Sequence, residues 1–477
     1  MEEFNLFRRG CLIPMEGFST AFLGLVLATL LMTGCAHYPL NQPVKAIDPA
    51  GGYRMRNISV PGNSDSILMI LTFSGGGTRA ASLAYGVLEE LARTEVEIEG
   101  RKGRLLDQVD LISSVSGGSF TAGYYGLFGE GIFLDFESKF LKKNIQGALT
   151  LRTFLNPYNW YRLSFAAFDR SDLAAEYYGR HVFEGGTFGD MKARQGPIIL
   201  MNATEMTYGI RVGFTQGSFD AICSDLLQFP VARAVAASSA VPMLLSPITI
   251  RNYAGTCGYK LPERLTAALK SQDITERQFY LANNMALFID SEKKKYIHLV
   301  DGGVSDNLGL RAVLDRVILN GSYWNAIKGT ALENTHKVIF VMVNAETQPD
   351  TKWDQWESPP PFSAVLSSYS SIAIERYNEE TVALLKESLK SWRGDVRTER
   401  CEGKTVSTEP GMCGDIRFYV IEVKFDALKD ENERMYFKRL PTSFKLAPDQ
   451  VDRLRDAAHR IMVESPEFQR LLGDLRQ

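Results

Sequence analysis

The sequence predicts an α/β chain, a three-layer α/β/α sandwich built on a central, mostly parallel sheet. Runs of strand length at 67–73, 109–115, 197–202, 296–300 and 338–343, several apolar throughout, suit strands covered on both faces. Those runs alternate with stretches of helical periodicity, the order that generates strand–helix–strand units. The bulk composition agrees: 477 residues with 45% hydrophobic and 23% charged are enough for one large domain with additions. Lys and Arg total 53 against 56 Asp and Glu, for a net charge of −3, so the basic excess of a nucleic-acid binder is absent. A mean hydropathy of −0.12 rules out a chain that crosses a membrane many times.

At the N-terminus, residues 20–32 read TAFLGLVLATLLM, 13 positions without a charge behind Arg8 and Arg9. A bilayer span needs about 20 apolar residues. The run suits the apolar region of a secretory signal over residues 1–34. It ends in Met32-Thr33-Gly34-Cys35, which resembles the bacterial lipobox. That resemblance implies cleavage before Cys35, lipidation of that residue and a periplasmic domain anchored in the bacterial envelope. Residues 35–64, rich in Pro, Gly, Asn and Asp, read as a tether. With Cys11 in the signal and Cys35 as the anchor, four cysteines remain, an even count that suits an oxidising compartment. Cys401–Cys413 would close a short loop, leaving Cys223–Cys257 as the second pair. The absence of Cys-x-x-Cys spacing argues against a zinc site.

The mature body reads as one large domain: a core over 65–345 and, with no clean linker, a C-terminal extension over 346–477 packed on it. Helical patterns fall at 79–93, 120–128, 232–238 and 308–319; in the first, Leu83, Val87, Leu88 and Leu91 share a face. The extension carries helices at 363–392 and 449–472 around a strand at 417–423.

Three constellations sit where strands end. The first is Ser74-Gly75-Gly76-Gly77-Thr78-Arg79, at a strand-to-helix turn. Consecutive glycines let backbone N–H groups point into one concavity beside a positive helix N-terminus, as an oxyanion hole or a phosphate cradle. The P-loop form needs a Gly-Lys-[Ser/Thr], which is missing, and the dinucleotide form needs a glycine where Ala80 stands. The second is Ser114-Val115-Ser116-Gly117-Gly118. Its frame matches G-x-S-x-G with Ser114 for the first glycine, and Gly118 meets the need for a small residue where the next helix approaches. The third is Asp301-Gly302-Gly303, whose acid stands at the end of a strand, facing the crevice where open α/β sheets hold ligands. None of the five histidines carries a local signature, so a Ser–Asp dyad is expected rather than a triad.

Taken together, GGGTRA at 75–80, SVSGG at 114–118 and DGG at 301–303 resemble the patatin-like phospholipases. The resemblance extends through Phe229–Pro247 and Asp306-Asn307-Leu308-Gly309, covers roughly 65–345, and continues more loosely around 440–454. It implies the fold of patatin and of cytosolic phospholipase A catalytic domains. It also implies a serine acyl hydrolase of phospholipids or lysophospholipids that needs no metal and no cofactor. Ser116 would be the nucleophile and Asp301 the base, with the N–H groups of Gly75, Gly76 and Gly77 as the oxyanion hole. Gly118, Gly302 and Gly303 would support them. Arg79 would either fix the loop or meet a substrate phosphate.

Residues 128–180 form an aromatic-rich insertion, including Phe133, Phe136, Phe140, Phe154, Tyr158, Trp160 and Phe165. It is expected to pack, to cover the serine or to lie against lipid. Partners are therefore a lipid substrate and a membrane surface, and not nucleic acid. The alternative is a non-catalytic lipid-binding envelope lipoprotein on the same fold. A nucleotide-binding α/β protein is the third reading, weakened by the missing lysine.

Overall fold

The computed structural model describes residues 38–55, 60–241, 244–271, 273, 276–348, 352–355, 357–401 and 416–476. The signal segment, Cys35 and Cys413 lie outside the described residues, and so does the Cys401–Cys413 pairing.

Ten strands are present among the described residues: β1 (Ile67–Phe73), β2 (Glu95–Ile98), β3 (Arg101–Arg104), β4 (Val109–Val115), β5 (Ile198–Glu205), β6 (Ile210–Gly213), β7 (Ile248–Arg251), β8 (Tyr296–Asp301), β9 (Lys337–Asn344) and β10 (Arg417–Lys424). The helices that matter for the site are α1 (Gly77–Arg93), α2 (Gly117–Phe128), α3 (Ile145–Phe154), α4 (Pro157–Leu163), α5 (Arg170–His181), α6 (Val231–Ser238), α7 (Gly303–Asp306) and α8 (Arg311–Asn320). The C-terminal part adds α9 (Phe362–Arg400), α10 (Pro448–Glu464) and α11 (Pro466–Leu475).

The main sheet runs β10-β9-β1-β4-β5-β8-β7, with β6 also paired to β5. Pairing is parallel from β10 through β5 and antiparallel at β5–β6, β5–β8 and β8–β7. Every residue of β1, β4 and β5 is buried, which explains their mostly apolar character: helices cover both faces, and the carboxylates Asp110 and Glu205 are kept there by partners. The central strands therefore follow the expected parallel order, and the strand carrying Asp301 is the first to reverse.

The structure departs from the sequence reading in two places. The stretch 35–64 was expected to be a tether, but its described part from Tyr38 is docked. Asn41 donates to Ser224 Oγ at 2.8 Å and to the Arg251 carbonyl at 2.9 Å, and Val44 N–H meets the Cys223 carbonyl at 2.9 Å. Tyr53 is 3% exposed and its hydroxyl accepts Ile199 N–H at 2.6 Å, while Arg54 pairs with Asp220 at 2.6 Å. Single anchoring side chains in a Pro/Gly-rich segment leave no periodic pattern, so composition alone misses them. The expected helix 449–472 is two helices, α10 and α11, because Ser465 precedes Pro466 and takes extended backbone. β10 pairs with β9 along its whole length, and α10 packs on α1, so the C-terminal extension lies against the core. The Cys223–Cys257 disulfide is formed, beside the docked strap.

The aromatic insertion divides. Phe136 and Phe140 are fully buried, with Phe140 stacked on Phe120 at 4.1 Å, whereas Phe154, Tyr158 and Trp160 are exposed.

The docked strap has a measurable consequence. The Arg54 and Asp220 side chains are both under one-tenth exposed, so Arg54→Ala leaves a buried carboxylate without its cation. Urea unfolding of this variant should show a loss of about 3 kcal/mol or more, whereas a free tether would show no change.

Candidate functional site

β4 runs directly into α2, and Ser116 is the residue at the junction, with φ 49° and ψ −119°. A left-handed φ is unfavourable for a residue with a side chain, and such strain concentrates at functional turns. Three interactions hold it. Ser116 N–H donates to Ser238 Oγ at 2.9 Å, and Ser238 Oγ donates to the Asn202 carbonyl at 2.6 Å. The Ser238 carbonyl accepts Gly302 N–H at 3.1 Å. Ser238, the last residue of α6, thus ties the serine turn to β5 and to the turn after Asp301. Ser114 stands where a glycine was expected in the elbow. Its hydroxyl accepts from Ser119 Oγ at 3.1 Å, and Ser119 Oγ lies 3.0 Å from Ser238 Oγ, so the extra polar atom is satisfied.

Asp301 ends β8 beside the C-terminal half of β5, opposite Ala203. Its Oδ1 accepts Gly303 N–H at 2.7 Å. Its Oδ2 is buried with no partner of full hydrogen-bond geometry among the described residues. The Ser116 hydroxyl is nonetheless close enough to favour the charged carboxylate. Burial outweighs that help and the Gly303 N–H, pushing the Asp301 carboxyl up to about 6. Thr204 Oγ1 donates to the Asp301 carbonyl at 2.8 Å and fixes the strand end.

The glycine turn lies against this pair, with one correction to its expected role. Gly75 N–H is committed to the Asn307 carbonyl at 3.1 Å and is not available to an oxyanion. What Gly75 supplies is space: a Cβ there would lie 2.6 Å from Asn307 Oδ1 and 3.4 Å from Ser116 Cβ. Gly76 and Gly77 stand at the start of α1, where the first N–H groups have no intrahelical acceptor. Gly77 (φ 60°) is the tighter position, since a Cβ would sit 2.4 Å from the Ser443 carbonyl oxygen. That carbonyl accepts Thr78 N–H at 2.9 Å.

Arg79 points away from the crevice. It is 1% exposed; Nε and Nη2 donate to the Ala345 carbonyl at 3.2 and 3.1 Å, Nη2 to Thr442 Oγ1 at 3.1 Å, and Nη1 to the Leu440 carbonyl. Burial lowers its pKa to about 10. Of the two roles open to it, the structure shows the fixing one: it ties the glycine turn to the end of β9 and to the 440–442 segment.

Among the described histidines, His181, His298 and His459 hydrogen-bond Tyr177, Thr249 and Glu90, away from Ser116. The described residues hold no cluster of His, Cys, Asp and Glu able to bind a metal. A cavity of about 890 Å³, lined by Leu200, Ile250, Met285, Phe288 and Ile297, includes neither Ser116 nor Asp301.

Sequence reasoning named Ser116, Asp301, Gly76, Gly77 and Gly118, and the structure brings them into one neighbourhood. It did not single out Ser238, Asn202, Thr204 or Ser443. Ser238 and Asn307 lie in segments already noted for their resemblance, whereas Ser443 acts through its carbonyl and leaves no side-chain signal.

A serine on a strand–helix elbow above a three-layer sheet is the frame of serine-dependent α/β hydrolases. Within that class the chain belongs to the patatin-like phospholipase family, whose model matches residues 71–314. No curated protein sequence matches it. Among solved structures, the chain is similar to human GIVD cytosolic phospholipase A2, at 14% identity and TM-score 0.42, over 86% of this chain and 62% of that one. The same human enzyme in complex with methyl gamma-linolenyl fluorophosphonate matches at 11% identity and TM-score 0.40, over 86% and 59% of the two chains. VipD from Legionella pneumophila matches at 12% identity and TM-score 0.29, over 94% and 73%. The chain therefore spans about three-fifths of the length of the human enzyme it matches.

The raised Asp301 carboxyl is a stability cost with a definite sign. A folded pKa near 6, above the unfolded value of 3.8, means the folded state holds this proton more tightly. Its contribution is fully present below pH ~4 and lost as pH rises through about 6. Asp301→Asn escapes that loss. At pH 7 the variant should be more stable than the parent by about 2–3 kcal/mol, with the gap closing towards pH 4 in parallel urea titrations. A pH-independent gap would sink this account of Asp301.

Proposed function

We propose that the protein is a serine acyl hydrolase of membrane lipids, of the phospholipase A or lysophospholipase type, anchored through Cys35 in the bacterial envelope. The observation that carries this reading is the pairing of a strained Ser116 with a buried carboxylate whose Oδ2 lacks a full partner. Asp301 Oδ2 takes the Ser116 hydroxyl proton as Oγ bonds to the ester carbonyl carbon. A carboxyl raised to about 6 is a stronger base than an ordinary Asp, yet remains ionised at neutral pH. Negative charge then develops on the former carbonyl oxygen, and the N–H groups of Gly76 and Gly77 at the α1 N-terminus are the donors that meet it. The tetrahedral centre collapses, the ester C–O bond breaks, and the leaving alcohol takes the proton from Asp301. Water enters in its place: Asp301 takes its proton as the water oxygen bonds to the acyl carbon, and the second tetrahedral centre collapses with cleavage of the Ser116 Oγ–acyl bond. Oγ takes the proton back from Asp301, and the fatty acid leaves.

A fluorophosphonate probe should label the protein, and Ser116→Ala should remove the label without altering the melting temperature. Asp301→Asn should lower kcat/KM on a short-chain ester by about 10²–10⁴-fold. In the parent, kcat/KM should fall as pH drops through about 6, as Asp301 takes up its proton. Absence of both labelling and ester hydrolysis would leave the non-catalytic lipoprotein as the correct reading.

A further inference from the structure

The α3–α4 hairpin exposes Leu151 (57%), Phe154 (64%), Leu155 (70%), Tyr158 (65%) and Trp160 (54%) in one short stretch. Scattered surface apolar residues need no explanation, but a contiguous set this large marks a surface with a partner. Residues 144–168 contain two arginines and no acidic residue, so nothing in the hairpin repels an anionic headgroup. Both arginines hold the hairpin to α5: Arg162 pairs with Glu176 and lies 3.9 Å over the Phe168 ring, and Arg152 sits 4.9 Å over the Tyr177 ring. The surface is thus rigidly mounted.

Two further contacts give it an orientation. The docked strap begins at Tyr38, whose ring lies 4.0 Å under Arg233 and lines a groove with Glu176 and Arg180 of α5. Glu176 is the residue that Arg162 of the hairpin grips. Cys35 is three residues before Tyr38. Fully extended, three residues span at most about 11 Å. A lipid on Cys35 therefore brings this side of α5, and the hairpin on it, down to the bilayer; a free tether from 35 to 64 would not. On its other flank, Gln146 of α3 donates its N–H to the Phe444 carbonyl at 3.2 Å and accepts Phe444 N–H at 3.3 Å. Phe444 follows Ser443, whose carbonyl closes the glycine turn.

We infer that the α3–α4 hairpin is a membrane-contact surface, laid on the phospholipid headgroup and acyl boundary by the docked strap after Cys35 and joined to the Gly75–Gly77 turn through Ser443-Phe444. The inference rests on the reading of the protein as an envelope-anchored lipid hydrolase and adds which face meets the lipid.

The test uses the full chain on vesicles of phosphatidylethanolamine and phosphatidylglycerol. Brominated acyl chains in those vesicles should quench part of the tryptophan emission, and Trp160→Phe should remove that quenched part. Leu155→Asp with Tyr158→Asp should lower vesicle hydrolysis by about tenfold or more and change soluble short-chain ester hydrolysis by less than about twofold. Equal quenching in the parent and Trp160→Phe overturns the inference. So does a double variant that hydrolyses vesicles like the parent, or one that loses both activities. A concentration-dependent dimer abolished by the double variant also overturns it, by assigning the face to a second copy of the chain. If the parent hydrolyses neither substrate, the enzymatic reading falls while the quenching comparison still decides the surface.

Discussion

Two backbone turns meet here with no side chain between them, and the rest of the site depends on that contact. A Cβ on Gly117 would lie 2.1 Å from the Gly77 carbonyl oxygen and 2.6 Å from its nitrogen. The start of α1 and the start of α2 are thus pressed together at the C-terminal edge of the adjacent parallel strands β1 and β4. Two helix N-termini converging on one spot lend it positive potential from backbone N–H groups. The carboxylate of Asp301 reaches this edge because β8, although antiparallel to β5, pairs with it only at Ala203, Thr204 and Glu205, the end of that strand.

That contact is maintained from outside by a segment far away in the chain. Arg79 spends its guanidinium on the Ala345 and Leu440 carbonyls and on Thr442 Oγ1, and Ser443 closes over Gly77. A buried guanidinium is tolerable because it is hydrogen-bonded on all three nitrogens, and removing it would orphan those carbonyls. The glycine turn is free of side chains and would otherwise be the loosest part of the site. The 440–443 segment gives it contacts that the turn's own sequence cannot.

Local chemistry was legible and long-range chemistry was not. The buried strands announced themselves because burial on both faces permits almost nothing but apolar and small residues. Ser116, Asp301 and the glycine turn were legible because a tight strand–helix turn restricts residue type at fixed spacing. The four-residue strands β2, β3, β6 and β7 carry too few alternations to rise above noise. Gly75 was misassigned as a donor for a related reason: the sequence shows that a glycine is needed, but not whether it is needed for its N–H or for its missing Cβ. The partner that decides, Asn307, lies beyond β8. The docked strap was misread because each of its anchors is a single residue whose partner is remote.

The electrostatics explain why such a site is both costly and persistent. Asp301 and Asp306 are both buried and both raised to about 6, and Arg79 is lowered by the same burial. Asp306 is compensated, because its oxygens accept the Leu310 and Ala312 N–H groups at 3.0 and 3.2 Å and so organise the turn into α8. Asp301 is left half-satisfied, with one oxygen held and the other open. A purely structural carboxylate in this position would gain from a second donor. The Gly303 N–H and the Ser116 hydroxyl offset part of its burial, so a carboxyl raised to about 6 is still ionised at neutral pH. The fold therefore bears an unfavourable burial at Asp301, and under the proposed chemistry that burial is what makes its carboxylate a stronger base than an ordinary Asp.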